Sequence, residues 1–232
     1  MSASTSSVSA ACWNCGAANS GGHFCSKCGK IQPLSTEADY FAFFGLPQKL
    51  VIDSADLERR FHSLSWKLHP DNFVRAAEAE RELSLERSSQ LNDAFRTLAD
   101  PIARVEYLLA REGRRNEGQT KQQAPPELLE EVFELNESLD ELRSARQAGG
   151  DAEEMARLAK TLETTEKNFE SKLSAVDAEL QGLCAEWDAC LDGGAEATAR
   201  RKLMERMNAA LNRRSYIRNL VASVQKELAE GS

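Results

Sequence analysis

The chain has 232 residues, 41% of them hydrophobic and 28% charged, and its 37 Asp and Glu outnumber its 29 Lys and Arg for a net charge of −8. That balance argues against phosphate-backbone binding as the main activity, because nucleic-acid binders collect surplus Lys and Arg. No apolar run approaches the roughly 20 residues that span a bilayer. The length allows two or three domains, and the scarcity of valine, isoleucine and glycine points to an all-α protein.

The opening MSASTSSVSA carries neither Lys nor Arg and has no apolar centre. It reads as a Ser/Ala tail, not as a secretory signal or an Arg-rich transit peptide, so a cytoplasmic, bacterial setting is expected over a mitochondrial one. Four of the six cysteines follow in CWNCGAANSGGHFCSKC: Cys12, Cys15, Cys25 and Cys28 form two C-x-x-C pairs, each followed by a glycine, Gly16 and Gly29. A C-x-x-C turn points two thiolates the same way, and two such turns supply the four soft ligands of a tetrahedral zinc at about 2.3 Å per bond. A pair of disulfides or an iron in the same cage are the alternatives. With all four positions filled by sulfur, no place is left for a catalytic water, and the zinc is structural. The segment has too few apolar residues to fold unaided, so metal binding is its folding energy, on the order of 10–16 kcal/mol. His23 reads as a loop residue. Residues 1–33 are expected to form a separate unit whose removal leaves the melting of the rest nearly unchanged.

From residue 35 to 112 the pattern is helical. Thr36 or Asp39 can cap a short helix carrying Tyr40, Phe41 and Phe44, stopped by Gly45 and Pro47. Asp53 or Ser54 opens a second helix whose stripe is Leu57, Phe61, Leu64 and Leu68. Pro70 pushes His69 out of helical angles and ends it. A third helix shows Leu83, Leu91, Ala94, Phe95 and Leu98 on one face, and Asp100-Pro101 caps a fourth with Ile102, Val105 and Leu109 inward. Two amphipathic helices joined by a short loop pack antiparallel, which displays His69, Pro70 and Asp71 at the tip.

Residues 113–126 are polar, aperiodic and end in two prolines, as a linker does. Three further helical patterns fill 127–230, separated by Gly149-Gly150 and Gly193-Gly194, and their spacings of three and four indicate a three-helix, coiled-coil-like bundle. The first carries Leu128, Val132, Leu135, Leu139 and Leu142. The second runs from Met155 to Trp187 and the third from Leu203 to Leu228. Cys184 and Cys190 read as core thiols of the second. Leu129 and Phe133 lie about 100° around the first helix from its seam, beside Glu130, Glu134, Glu137 and Asp140. They are either a wide core stripe or an apolar pair rimmed by carboxylates, which is the composition of a partner site.

The order of these parts, with YFAFFGLP, His-Pro-Asp and LNDAFRTLADPIARVEYLL, resembles a J domain, and within the J proteins it is similar to the HscB family of iron–sulfur cluster co-chaperones. Some members carry an N-terminal four-cysteine zinc module that matches residues 12 to 28. The resemblance implies that His69, Pro70 and Asp71 dock on an ATP-bound DnaK/HscA-type chaperone and trigger hydrolysis of its ATP. The basic face of the second helix takes part through Arg59, Arg60 and Lys67, here interspersed with Asp56 and Glu58. The family usually has Lys or Arg after the aspartate, where this chain has Asn72. It also implies binding of the scaffold protein IscU through LLEEVFELNESLDEL, carried by Leu129, Phe133, Glu134 and Glu137 with Tyr216 of the third helix alongside. The family often has longer or basic residues where Glu130 and Asn136 stand.

The chain thus reads as a zinc module, a J domain and a scaffold-binding bundle, an adaptor that turns nothing over itself. A J-domain adaptor for a different client is the alternative. A hydrolytic cluster of His62, His69 and Asp71 fails because no serine or cysteine nucleophile is placed beside it, and a zinc-ribbon nucleic-acid binder is opposed by the acidic charge.

Overall fold

The computed structural model describes residues 11–18, 22–33, 39–115 and 125–230. The Ser/Ala tail, Thr36 and most of the polar run after residue 115 lie outside them. The fold is all-α, with seven α-helices and no named strand among the described residues. The chain divides into two compact units, residues 1–104 and 105–232. The division falls inside a helix and not at the polar run 113–126.

In the first unit, α1 (Tyr40–Phe44) is capped by Asp39, whose Oδ1 accepts from the Ala42 amide at 2.6 Å. It buries Phe41, Phe43 and Phe44. Helix α2 (Ser54–Leu68) is capped by Asp53 and buries Leu57 and Leu68. Helix α3 (Glu78–Ala99) packs against both. The half-buried Phe61 of α2 and Phe95 of α3 stack with centroids 4.2 Å apart, which holds the hairpin together at mid-length. Asp100 Oδ1 accepts from the Ile102 and Ala103 amides at 2.7 and 2.8 Å and starts α4 (Pro101–Arg111), which crosses into the second unit.

The inward face of α3 is as expected at Leu91, Ala94 and Leu98 and differs in the N-terminal half. Leu83 is only half-buried, and the buried row runs Glu80, Ser84, Arg87, Leu91, Ala94, Leu98. These positions are three and four apart, so the stripe is regular. Its N-terminal half is polar because the four-cysteine segment covers it, and periodicity of apolar residues alone cannot find such a face.

The second unit contains α5 (Leu129–Ala148), α6 (Ala152–Asp192) and α7 (Ala197–Ala229). The core is built from Leu135, Leu139 and Leu142 of α5, Phe169, Leu180 and Trp187 of α6, and Met207, Ile217 and Val224 of α7. Glu227 of α7, 5% exposed, accepts from Arg143 and Arg146 of α5 at 2.8 Å each, a buried carboxylate made tolerable by two guanidinium groups. Arg214–Asp177 and Arg206–Glu186 link α7 to α6 at the surface. Of the two cysteines expected in the core, Cys184 is buried. Cys190 is half-buried, because six residues along a helix bring it to a different face.

Candidate functional site

Cys12, Cys15, Cys25 and Cys28 stand on two matching turns. The Gly16 amide donates to the Cys12 carbonyl and the Gly29 amide to the Cys25 carbonyl, both at 2.9 Å. Each glycine is left-handed, with φ of 68° and 70°, a conformation that an L side chain adopts at a cost of about 1–2 kcal/mol. The four sulfurs lie within 4.8 Å of one another, with Cys12 and Cys28 at 3.6 Å and Cys15 and Cys25 at 3.8 Å. A tetrahedron with metal–sulfur bonds of about 2.3 Å has edges of about 3.8 Å, so the cage fits a four-thiolate metal ion and no disulfide is present. Burial pushes the Cys12 thiol up, but the Cys15 and Asn14 amides outweigh it and bring it down to about 6. The Lys30 amide likewise lowers Cys28. Cys15 is lowered by the Ala17 amide, yet burial and its three sulfur neighbours raise it to about 11. Four thiols this close lose all their protons only to a cation placed among them.

The module is not a separate bead. His23, expected as a loop residue, sets its ring against Phe43 of α1 with centroids 4.8 Å apart. Its Nε2 donates to the Phe43 carbonyl at 2.8 Å, and its Nδ1 accepts from the Arg87 guanidinium at 2.6 Å. Burial, and then the Arg87 charge, hold His23 below the usual imidazole range, in keeping with a neutral ring that accepts from arginine. Arg87 is fully buried and sits over the Phe43 ring at 5.0 Å. Lys30 pairs with the buried Glu80 of α3 at 2.6 Å. These contacts tie the module to α1 and α3, where a separate unit was expected. The module supplies Lys30 to Glu80 and His23 to Arg87, both buried groups of α3.

On the same turns of α3, Ser84 and Ser88 face the end of α2: Leu68 is fully buried, and its carbonyl accepts from the hydroxyls of Ser84 at 2.7 Å and Ser88 at 3.0 Å. The chain then leaves the helix at His69 (φ −59°, ψ 130°) and makes one 3-10 turn over Pro70–Phe73. His69 and Asp71 are exposed, with the His69 Nδ1 accepting from the Asp71 amide at 3.3 Å. Asn72, standing where the resembled family has a basic residue, ties the turn back to α2. Its Nδ2 donates to the Trp66 carbonyl at 2.6 Å, and its amide donates to the His69 carbonyl at 3.0 Å. The buried Phe73 anchors the far side.

The cations on α2 differ among themselves. Arg60 donates to Asp56 at 2.7 Å and to the Phe44 carbonyl at 2.9 Å, so it braces the end of α1. Arg59 also pairs with Asp56, at 3.0 Å, but most of its side chain faces solvent. Lys67 is exposed. Sequence reasoning passed over Trp66, which is 79% exposed beside the turn. Its phase on α2, two residues from both Leu64 and Leu68 and so about 200° around the helix from the stripe, was the available signal.

On α5, Leu129 and Phe133 are 54% and 71% exposed, which excludes the reading as a wide core stripe. Glu134 and Glu137 line a groove of about 620 Å³ between α5 and α6, together with Thr165, Asn168 and Lys172. The apolar pair is not part of its lining. Tyr216 is half-buried on α7 and lies outside the groove as well.

Comparison with protein-family models yields no match. Among curated proteins, the chain is 34% identical over 154 residues to the co-chaperone protein HscB homolog of Vibrio vulnificus (strain YJ016), covering 66% of this chain and 85% of that protein. It is 34% identical over 142 residues to the iron-sulfur cluster co-chaperone protein HscB of Mus musculus, covering 60% of this chain and 61% of that one. Among solved structures, it is similar to human co-chaperone protein HscB, with a TM-score of 0.63 over 94% of this chain and 98% of that one at 24% identity, a likeness of fold.

Proposed function

The chain belongs to the HscB co-chaperone family, and from that premise we propose that it stimulates the ATPase of a DnaK/HscA-type chaperone and brings the scaffold protein IscU to it. The observation that carries this reading is the His69–Asp71 turn, exposed at the hairpin tip and held from three sides by Ser84 and Ser88, by Asn72, and by the buried Phe73. A preformed loop loses little conformational freedom on docking, so more of its contact energy goes to binding. Arg59, Lys67 and Trp66 extend the docking face along α2. Arg60 keeps that face in place through Asp56 and α1.

The scaffold is bound through Leu129 and Phe133, with Glu134 and Glu137 steering from the flank and Tyr216 contributing from α7. Exposed apolar side chains rimmed by carboxylates suit a partner with a complementary basic rim. The metal of the four-thiolate cage is zinc, which accepts tetrahedral sulfur without redox chemistry and closes a structural site. Steady-state ATP hydrolysis by the chaperone, measured with the protein and with IscU present and absent, tests the whole reading. Stimulation by the protein and further stimulation with IscU are expected. A protein that leaves the rate unchanged and captures no IscU would overturn it.

A further inference from the structure

The turn of α3 from Ser84 to Ser88 does two things at once. Ser84 and Ser88 hold the Leu68 carbonyl, the last peptide group before His69. Between them, Arg87 points at the four-cysteine module and donates to His23. Arg87 is fully buried, its Nε and second terminal nitrogen find no hydrogen-bond partner among the described residues, and burial pushes its pKa down to about 10. A cation in that position keeps its place only while a neighbour accepts from it and excludes water around it.

His23 stands two residues before Cys25, inside the loop that the two C-x-x-C turns close. The apolar content of residues 11–33 is slight, with Cys12, Cys25 and Ile31 its buried members. The position of His23 therefore depends on the metal that folds the module. Lys30, two residues beyond Cys28, is a second tether, to Glu80 one helical turn before Ser84.

We propose that the four-cysteine module is a metal-dependent positioning device for the His69–Asp71 loop. When metal closes the module, His23 and Lys30 hold the Glu80–Ser88 segment of α3 in register, and Ser84 and Ser88 fix the Leu68 carbonyl from which the loop hangs. When metal is lost, Arg87 is uncovered, this segment of α3 loosens, and the loop loses its anchor. His23 and Arg87 are positioning residues, acting through α3 on a loop that neither touches. The consequence for chaperone stimulation rests on the function proposed above, but the coupling itself does not.

The test is hydrogen exchange by mass spectrometry on the full chain under reducing conditions, with and without a zinc chelator. Chelation is expected to speed exchange in residues 69–75 and 84–92 by about tenfold or more, besides the module itself, and one equivalent of added zinc restores protection. His23→Ala keeps all four sulfur ligands. It is expected to retain its metal by elemental analysis while showing the fast loop exchange of the chelated parent. In Arg87→Leu the buried cation is gone, so the loop's response to chelator shrinks to what the Lys30–Glu80 tether carries. If Arg87→Leu fails to fold, the His23→Ala comparison decides alone. Fast exchange confined to residues 11–33 after chelation, or a His23→Ala protein with a fully protected loop, overturns the proposal. Coupled exchange in a protein that stimulates no ATPase would leave it standing and defeat the docking reading instead.

Discussion

The double substitution Leu129→Ala/Phe133→Ala separates a docking patch from a structural one, and its cost follows from exposure. Leu129 is 54% exposed and Phe133 71%, so under half of one side chain and under a third of the other is withdrawn from water. Full burial of such side chains contributes roughly 1.5–3 kcal/mol. The buried fractions then carry about 0.7–1.4 kcal/mol for Leu129 and about 0.4–0.9 kcal/mol for Phe133. Alanine returns a few tenths at each site through its better helix propensity. The net loss is about 1 kcal/mol, against about 5 kcal/mol or more if both were core residues. With a urea dependence of roughly 1–3 kcal/mol/M, the midpoint moves by less than about 1 M. Calorimetric titration with IscU should meanwhile weaken by about tenfold or more, since a central aromatic contributes 1–2 kcal/mol or beyond. A midpoint shift of several molar, with binding intact per folded molecule, would show that the pair supports the bundle and binds nothing.

Elemental analysis of protein purified without added metal should find one zinc per chain; under half an equivalent, with Cys12–Cys28 disulfides by mass spectrometry, refutes the cage. Deleting residues 1–33 removes the partners of Arg87 and Glu80 and uncovers both, and is expected to lower the melting of the first unit by several degrees, at about 4–8 °C for each kcal/mol lost; an unchanged midpoint would mean that the module only rests on the surface. His69→Gln should abolish stimulation of the chaperone ATPase while shifting stability by less than about 0.5 kcal/mol, since His69 is exposed; unchanged stimulation would reduce the loop to a helix stop. Trp66→Ala should raise the protein concentration needed for half-maximal stimulation about tenfold without affecting the melt, and an unchanged titration would remove Trp66 from the docking face.

Much of the molecule is legible in the sequence because it is local. The C-x-x-C turns close over four residues, the caps at Asp39, Asp53 and Asp100 act within three, and the bundle's stripes repeat every three or four. Pro70 ends α2 by its own geometry. Such features hardly depend on what lies across from them, so the cage, the hairpin and the displayed tripeptide follow from spacing.

What only the tertiary structure decided are the pairings between distant elements. His23 meets Arg87 across 64 positions and Lys30 meets Glu80 across 50, and nothing local marks either pair. The same cause hid the N-terminal, polar half of the inward face of α3. A charged residue reads as outward by period alone, whereas Glu80 and Arg87 are buried because a second element brings them partners. Arg60 was read as part of a docking face, yet its guanidinium braces α1. Leu129 and Phe133 fitted core and surface equally well. Burial is set by which face a neighbour covers, and one helix's sequence fixes its stripe but not the neighbour that arrives to cover it.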